Sequence, residues 1–294
     1  MVKLFRTASA TITNLIQNKS IVVRNLRIDF NLAKTKKAGD NKGKINIHNL
    51  SSATRDFAQT ETEKNGTPKT AIALNVGYAD GPEKLLFFGI GEAQSTYAAP
   101  NWVTSFEVND GLDKIKNTAY EKKFPAGTNV LDIVKDLLGN ANIGELITAG
   151  ITGKIPVART FSGDPLKNLE DLQSTYNFNV DIQNGQSIIA PKDVVVNNKY
   201  KTRLDISTGL IGTPTVKGNL VHCEALINPD LSPSNFVELA PSDLGLQGNY
   251  IIEKATYKGD TWGGGWSVLL ELKFITNIDP ADNTSRILTQ ETFA

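Results

Sequence analysis

The chain contains few of the residues that disulfides and soft-metal sites require. Its 294 residues include one cysteine, Cys223, and two histidines, His48 and His222. A single cysteine excludes an internal disulfide and a cysteine-based zinc site, and it fits a reducing compartment. Two histidines are too few for a histidine-rich metal site. The sequence therefore predicts no metal site and no cofactor.

Long apolar runs and an excess of one charge are also missing. No stretch of about 18 consecutive apolar residues occurs, so we expect no membrane span. The N-terminal segment lacks the continuous apolar core of a signal peptide, which predicts synthesis in the cytoplasm. The 31 basic residues balance the 31 acidic ones. No overall field favours nucleic acid, and we expect no sequence-specific nucleic-acid binding.

What the sequence does contain is two series of short β-type runs bounded by turn residues. Apolar and polar residues alternate over residues 26–32, the period of a half-buried strand. The first series predicts strands at 26–32, 44–48, 70–78, 85–93 and 102–108, and the second at 220–226, 235–239, 250–257 and 266–274. A compact antiparallel barrel explains each series better than a helical arrangement does.

Between the two series the apolar residues adopt helical spacing. Residues 130–138 predict one helix, with Thr128 as its N-cap. A second helix is predicted after residue 164, with Asp164 as N-cap and Pro165 at the first helical position. Residues 115–200 are therefore interpreted as a small α/β insertion made of two related helix-containing modules.

Several shorter segments carry local predictions. Asn184 and the glycine after it predict a tight hairpin turn, and Ser51 or Ser52 is a plausible helix cap. The basic residues 34–44 predict a solvated loop. Residues 1–20 are polar and rich in hydroxyl groups, and they predict either a flexible arm or a first strand.

Motifs along the chain resemble those of bacteriophage tail and baseplate hub proteins, a family related to the hub part of type VI secretion spike proteins. They occur in the family's order and cover nearly the whole chain. The motifs are KINIHNLS at 44–51, VGY at 76–78 followed by LFFGIG at 86–91, GLIGTP at 209–214, LINPDLSP at 226–233, and KGDT at 258–261 before Trp266.

The resemblance implies a β-rich α+β fold with two antiparallel, tube-like β-barrels and a small α/β middle region. The expected division places an N-terminal arm at 1–20, the first barrel at 21–112, the middle region at 113–202, the second barrel at 203–278 and a C-terminal tail at 279–294.

The resemblance also implies a function. Hub proteins are structural parts of the virion, located in the tail baseplate. A homotrimer with two barrels per chain forms a pseudo-sixfold ring, which joins the sixfold tail tube to a threefold spike or tip. The expected partners are the tail tube protein, the spike or tip protein and other baseplate proteins. Residues 21–110 of one chain would meet residues 205–275 of the next, with 115–200 facing outward.

An alternative is a cell-wall-degrading or carbohydrate-binding tail-tip protein, so we searched for catalytic groups. His222 and Cys223 are neighbours on a predicted strand, where adjacent side chains point to opposite faces. They cannot form a thiol–imidazole pair, and a buried structural cysteine is the simpler interpretation. No pattern brings His48 to Cys223. We therefore predict no catalytic residue and no enzymatic activity.

The carboxylates and glycines give no stronger signal. A glycosidase needs two carboxylates at a defined separation, whereas the candidates are scattered at Asp230, Glu238, Asp243 and Glu253. Residues 259–265 lack the Gly-Lys-Ser/Thr end of a phosphate loop and lie between strands.

The glycine-rich segment is therefore interpreted as a flexible hairpin tip, with Trp262 and Trp266 as a contact surface or as rim and core. Gly89 and Gly91 lie within a predicted strand. They predict a bulge or a close backbone approach.

Overall fold

The fold was analysed in a computed structural model. It describes residues 5–36, 40–59, 70–109, 120–139, 146–148, 152–184, 186–191, 194–195, 201–240, 245–275 and 285–286. Within these ranges the chain is mostly antiparallel β-structure with few helices, which confirms the β-rich prediction. No helix in these ranges is long and apolar enough to cross a membrane.

The N-terminal sheet part consists of seven strands and one short helix. They are β1 (Arg6–Asn14), β2 (Lys19–Val23), β3 (Ile28–Thr35), β4 (Lys42–His48), α1 (Ser52–Ala58), β5 (Thr70–Tyr78), β6 (Lys84–Ala98) and β7 (Asn101–Asn109). Neighbouring strands are antiparallel, in the order β3-β4-β7-β6-β5-β1-β2. The Ser51 side chain accepts a hydrogen bond from the Thr54 amide and caps α1, as predicted.

Two local predictions for this part are decided by the strand bounds. Of the alternatives for residues 1–20, Arg6–Asn14 forms a first strand, paired along its length with β5. The segment 34–44 is not simply a solvated loop, because β3 continues to Thr35, β4 begins at Lys42 and Lys34 is buried. Residues 37–39 lie outside the described ranges.

The middle region has its own elements and its own core. They are β8 (Tyr120–Phe124), α2 (Val130–Gly139), β9 (Leu146–Thr148), β10 (Arg159–Gly163), α3 (Pro165–Tyr176), β11 (Phe178–Gln183), β12 (Gln186–Pro191) and β13 (Val194–Val195). Strand β8 pairs with β10, and β12 pairs with both β11 and β9. Buried residues of the helices and strands form a cluster separate from the core of the main sheet.

The two helix starts differ in how well the sequence predicted them. Asp164 caps α3 by accepting from the Leu166 amide, and Pro165 occupies the first turn, as predicted. For α2 the prediction of Thr128 was wrong. The Asn129 carbonyl accepts the first helical bond, from Ile133, while the Thr128 hydroxyl donates to the Pro125 carbonyl. Asn129 therefore occupies the cap position.

The C-terminal sheet part consists of six further strands. They are β14 (Lys201–Leu204), β15 (Leu210–Lys217), β16 (Leu220–Leu226), β17 (Phe236–Leu239), β18 (Gly248–Asp260) and β19 (Trp266–Ile275). The sequence did not predict β14 or β15. Proline is tolerated on an outer strand, and β15, which contains Pro214, lies at one end of the sheet. In the tail, β20 (Ser285–Arg286) pairs with β13.

A single antiparallel pairing, which we call the seam, joins the two parts into one sheet of thirteen strands. Seven residue pairs connect β3 to β18, from Asp29 opposite Asp260 to Thr35 opposite Lys254. The other edge of β3 pairs with β4, so β3 cannot also pair with β2. One core draws buried residues from both parts.

Strand β18 pairs with three neighbouring strands. It pairs with β19 on one edge; the other edge pairs with β17 at residues 248–251 and with β3 at 254–260. An irregularity between Ile252 and Lys254 separates these two segments. Over the described residues the sheet is therefore open, and the two tube-like barrels and their boundaries stay predictions.

The seam gives a stability prediction at Gly259. A Cβ atom there would lie 2.3 Å from the ring of Phe30, which is buried and packs edge-on against Trp266. Gly259→Ala should lower the free energy of unfolding by roughly 1–3 kcal/mol because the crowded core must shift. Urea denaturation measures the change.

Gly263→Ala, in the same hairpin, is the matched control because nothing lies within 4 Å of its added Cβ. Equal midpoints for the two variants would contradict the packing argument.

Candidate functional site

The main path of the sheet ends in β2, in the N-terminal part, and in β15, in the C-terminal part, and within the described part of the chain the outer edge of each is free; β14, which pairs only with β17 on a side branch, has a third free edge. Large apolar side chains are exposed at both ends. Ile16 and Val22 are 53% and 55% exposed near β2, and Ile211 and Val216 are 39% and 47% exposed on β15. Free strand edges can pair with another chain, and apolar surface beside them is typical of contact sites.

A third exposed feature is the end of the β6–β7 hairpin. Tyr97 and Trp102 face each other across the strands with ring centroids 5.3 Å apart. The Arg55 guanidinium lies 4.2 Å from the Trp102 ring centroid, and the Asn49 side chain accepts from the Trp102 amide. Tryptophan, tyrosine and arginine are enriched at the centres of protein interfaces. Sequence analysis identified the strand here but not this cluster.

The glycine-rich hairpin tip is held on the sheet, which corrects its interpretation as a flexible tip. Arg6 donates to the carbonyls of Asp260 and Gly264, each at 3.1 Å. Arg27 binds the Asp260 carboxylate with both Nε and Nη2, at 3.2 and 2.7 Å. Backbone and hydroxyl of Thr261 both bond to Ile28.

The two tryptophans of this hairpin have different surroundings. Trp262 is 73% exposed, whereas Trp266 is buried against Phe30 and Tyr78. Trp262 is therefore a rim residue and Trp266 a core residue, which is the second of the two predicted alternatives.

A buried polar cluster attaches the middle region to the sheet. We call it the seat, and it consists of Lys34, Asn41, Asp181, Gln183, Asn184 and Ser234. Lys34, on β3, is 1% exposed and donates from Nζ to Asn184 Oδ1 at 3.1 Å. Asn184 has a φ of 54° in the β11–β12 turn, and its Oδ1 also accepts from the Phe88 amide. Burial lowers the pKa of Lys34 to about 7.

The other half of the seat surrounds a carboxyl group. Asp181 is 3% exposed; it accepts from the Ser234 hydroxyl and from Gln183 Nε2. Burial raises the pKa of Asp181 to about 6. Gln183 also donates to the Thr35 carbonyl at 2.8 Å.

Asn41 completes the seat from the sheet side. Its Nδ2 donates to the Ile182 carbonyl at 2.7 Å, and its Oδ1 accepts from the Thr35 amide. Hydrogen bonds thus connect the β11–β12 hairpin to β3, to the start of β4, to β6 and to the loop before β17. The sequence signal of the seat is Lys34, which lies within a lysine-rich segment. That pattern predicted a solvated loop rather than a buried site.

The predicted thiol and imidazole groups lie apart. Cys223 is 4% exposed, and burial raises its pKa to about 12. His222 is half-buried on the opposite face of β16, which follows the predicted alternation. His48 Nε2 lies 2.7 Å from Asp29 Oδ2. His48 is therefore paired with a carboxylate on the neighbouring strand β3.

Three of the four scattered carboxylates are each paired with a different cation. Ion pairs join Asp230 to Lys84, Glu238 to Arg203 and Glu253 to Lys36. Asp243 lies outside the described residues. Among those that the structure describes, no group of three or more histidine, cysteine, aspartate or glutamate residues could hold a metal ion.

The two strand glycines mark a close backbone approach, one of the two predicted alternatives. A Cβ on Gly91 would lie 1.9 Å from the Glu107 carbonyl oxygen, and one on Gly89 would lie 2.6 Å from that of Asn109. Both contacts are with β7, the neighbour of β6. The irregularity of the β5–β6 pair lies elsewhere, between Leu74 and Asn75.

A family described as Baseplate hub gp41 matches residues 8–260. The match runs from β1 to the last residue of β18 and includes the N-terminal sheet part, the middle region and the C-terminal sheet part except β19. No curated protein sequence matches the chain.

Solved structures share the fold at low sequence identity. The 43 kDa tail protein of prophage MuSo2 from Shewanella oneidensis is 9% identical, with a TM-score of 0.62 over 90% of this chain and 97% of that one. The E. coli c3393 protein, a component of the type VI secretion system, is 8% identical, with a TM-score of 0.58 over 90% and 76%. A Francisella PdpA–VgrG complex contains a chain that is 10% identical, with a TM-score of 0.57 over 98% and 55%.

These structures establish the fold, and the family match establishes the relationship. Because the matched residues make up far more than half of the sequence, the chain belongs to the Baseplate hub gp41 family, whose members are structural proteins of the bacteriophage tail baseplate.

Proposed function

We propose that three copies of this protein form a pseudo-sixfold ring in the tail baseplate of a virion, joining the sixfold tail tube to a threefold spike or tip. The observation that carries the proposal is the open sheet whose main path ends in a free edge in each part, β2 in the N-terminal part and β15 in the C-terminal part, both with exposed apolar side chains. Each chain then supplies two units, and three chains supply the six positions of the ring.

The positions of the free edges favour a head-to-tail contact. If β2 of one chain lies beside β15 of the next, the N-terminal part of one chain meets the C-terminal part of its neighbour. A contact between two different surfaces forms a ring when its rotation closes. The apolar side chains at both edges, Val22 and Val216 among them, would be covered. In this ring the two parts act as the tube-like barrels, with 21–112 extended by β1 and with 203–278.

The proposed partners follow from the same geometry. The middle region, 113–202, would face outward. The arm 1–20, apart from its strands, and the tail 279–294 would be available to neighbouring baseplate proteins. The aromatic end of the β6–β7 hairpin, Tyr97 and Trp102, suits contact with the tube or the spike. The fold shared with a chain of a PdpA–VgrG complex and with a prophage tail protein supports such partners.

The proposed role is not enzymatic. The buried thiol of Cys223 is protonated at neutral pH, because burial raises its pKa to about 12. Pairing of Asp230, Glu238 and Glu253 with separate cations speaks against the alternative of a cell-wall-degrading protein. No observation favours a carbohydrate-binding role over ring assembly.

The edge contact gives a prediction for assembly. Val22→Lys and Val216→Lys each place a charge at a proposed interface, where an unpaired charge costs several kcal/mol. Each should reduce infectious particles by about tenfold or more, since every 1.4 kcal/mol corresponds to a tenfold change. Complementation titres and electron microscopy of tails measure the effect.

Val157→Lys is the matched control, because Val157 is 67% exposed in the middle region. Its particles should form normally, and circular dichroism should show all three variants folded. Normal assembly of both edge variants, or a defect in Val157→Lys alone, would rule out the edge contact.

A second prediction separates assembly from chemistry. Infectivity should stay intact in the variants Cys223→Ser, His48→Ala and His222→Ala. Lost packing should lower the free energy of unfolding by no more than about 1–3 kcal/mol. Each variant is tested for particle formation and then for infection by the particles. Tails of normal structure that fail to infect would indicate a chemical role for the substituted residue.

A further inference from the structure

The attachment of the middle region differs in kind from the packing inside it. Its described helices and strands pack mainly against one another, around a core that shares no residue with that of the main sheet. The seat supplies side-chain hydrogen bonds from the sheet to the β11–β12 hairpin. A unit with its own core and a polar attachment can move as a body, because few apolar contacts are lost.

We propose that the β11–β12 turn is a releasable latch, which leaves the seat while the sheet and the middle region stay folded and which is held least tightly near neutral pH. Lys34 and Asp181 are the groups that control it. Both side chains lose their hydration when the turn is seated. Lys34 of β3 donates to Asn184 of the hairpin, and Asp181 of the hairpin accepts from Ser234 in the loop before β17. Release returns both charged groups to water.

Asp181 favours the seated state in acid. Its pKa rises from 3.8 in water to about 6 when seated, so the seated form binds the proton more tightly. The contribution to seating is complete below about pH 4 and is lost as the pH rises through about 6.

Lys34 acts in the opposite direction. Its pKa falls from 10.5 to about 7 when seated, so the seated form favours the neutral amine. That contribution is complete above about pH 10.5 and is lost as the pH falls through about 7. Between about pH 6 and pH 7 both groups are charged, and the attachment is weakest.

The neighbouring charges leave this balance in place. Lys36, just after β3, forms an ion pair with Glu253 of β18 at 3.1 Å. Its positive charge opposes the effect of burial on Asp181, as does that of Lys34, but the pKa of Asp181 stays raised, at about 6. Tyr257 of β18 is buried and donates its hydroxyl to the Leu231 carbonyl. Its pKa is raised by burial, which keeps the phenol neutral throughout the relevant range. The Phe87 ring of β6 also faces the seat, with its centroid 5.9 Å from Lys34 Nζ.

Hydrogen–deuterium exchange of the full chain tests the latch at about pH 5, 6.5 and 9, with rates corrected for intrinsic exchange. The Phe88 amide of β6, which donates to Asn184 Oδ1 only when the turn is seated, should be least protected near pH 6.5, with about tenfold or more protection gained on either side, since one pKa unit corresponds to a tenfold change. Peptides from 266–275 should stay protected at every pH. If the Phe88 amide stays as protected as 266–275 at all three values, the latch is excluded.

Three variants assign the effect to its groups. Asp181→Asn should abolish the gain in acid, and Lys34→Met should abolish the gain in alkali, each leaving the other gain in place. Lys44→Met, which removes a half-exposed lysine of β4 that pairs with Glu107, is the control and should retain both. Persistence of the acid gain in Asp181→Asn, or of the alkaline gain in Lys34→Met, would overturn the assignment. If a variant fails to fold, the profile of the unmodified chain still decides the proposal.

Discussion

The pairing of β3 with β18 is the constraint on which the rest of the structure depends. It requires a glycine at position 259, because the Phe30 ring fills the space that a side chain would need. With β4 on its other edge, β3 has no edge left for β2. The sheet within the described residues therefore stays open. The main path of this open sheet ends in free edges at β2 and β15.

Two kinds of contact hold the parts of this fold together. Apolar burial joins the two sheet parts into a single core, which is the stronger and less reversible attachment because it scales with the area removed from water. The middle region is attached at the seat by hydrogen bonds and two buried ionisable groups, Lys34 and Asp181. Buried charges without full compensation weaken an attachment. The molecule thus combines a firm double sheet with a unit that can be repositioned.

Much of the double sheet follows from local sequence patterns, whereas the seat does not. Strands with strict alternation, such as β3, β4 and β16, are predictable because one face is buried. Strand β15 was missed since only Leu210 and Pro214 are buried along it, a pattern without the period of a strand. The burial of Lys34 depends on Asn184, 150 positions further along the chain. The sequence predicted the turn at Asn184, but the surface that the turn contacts is set by tertiary packing. The separation of His222 from Cys223 needed only the strand period.

The symmetry of the hub layer in assembled tails tests the ring most directly. A reconstruction of intact tails by electron cryomicroscopy, at a resolution that traces β2 and β15, would measure it. The account predicts three copies per ring, with β2 of each chain beside β15 of its neighbour and the middle region on the outside. Six copies per ring, or N-terminal parts that contact only one another, would contradict it.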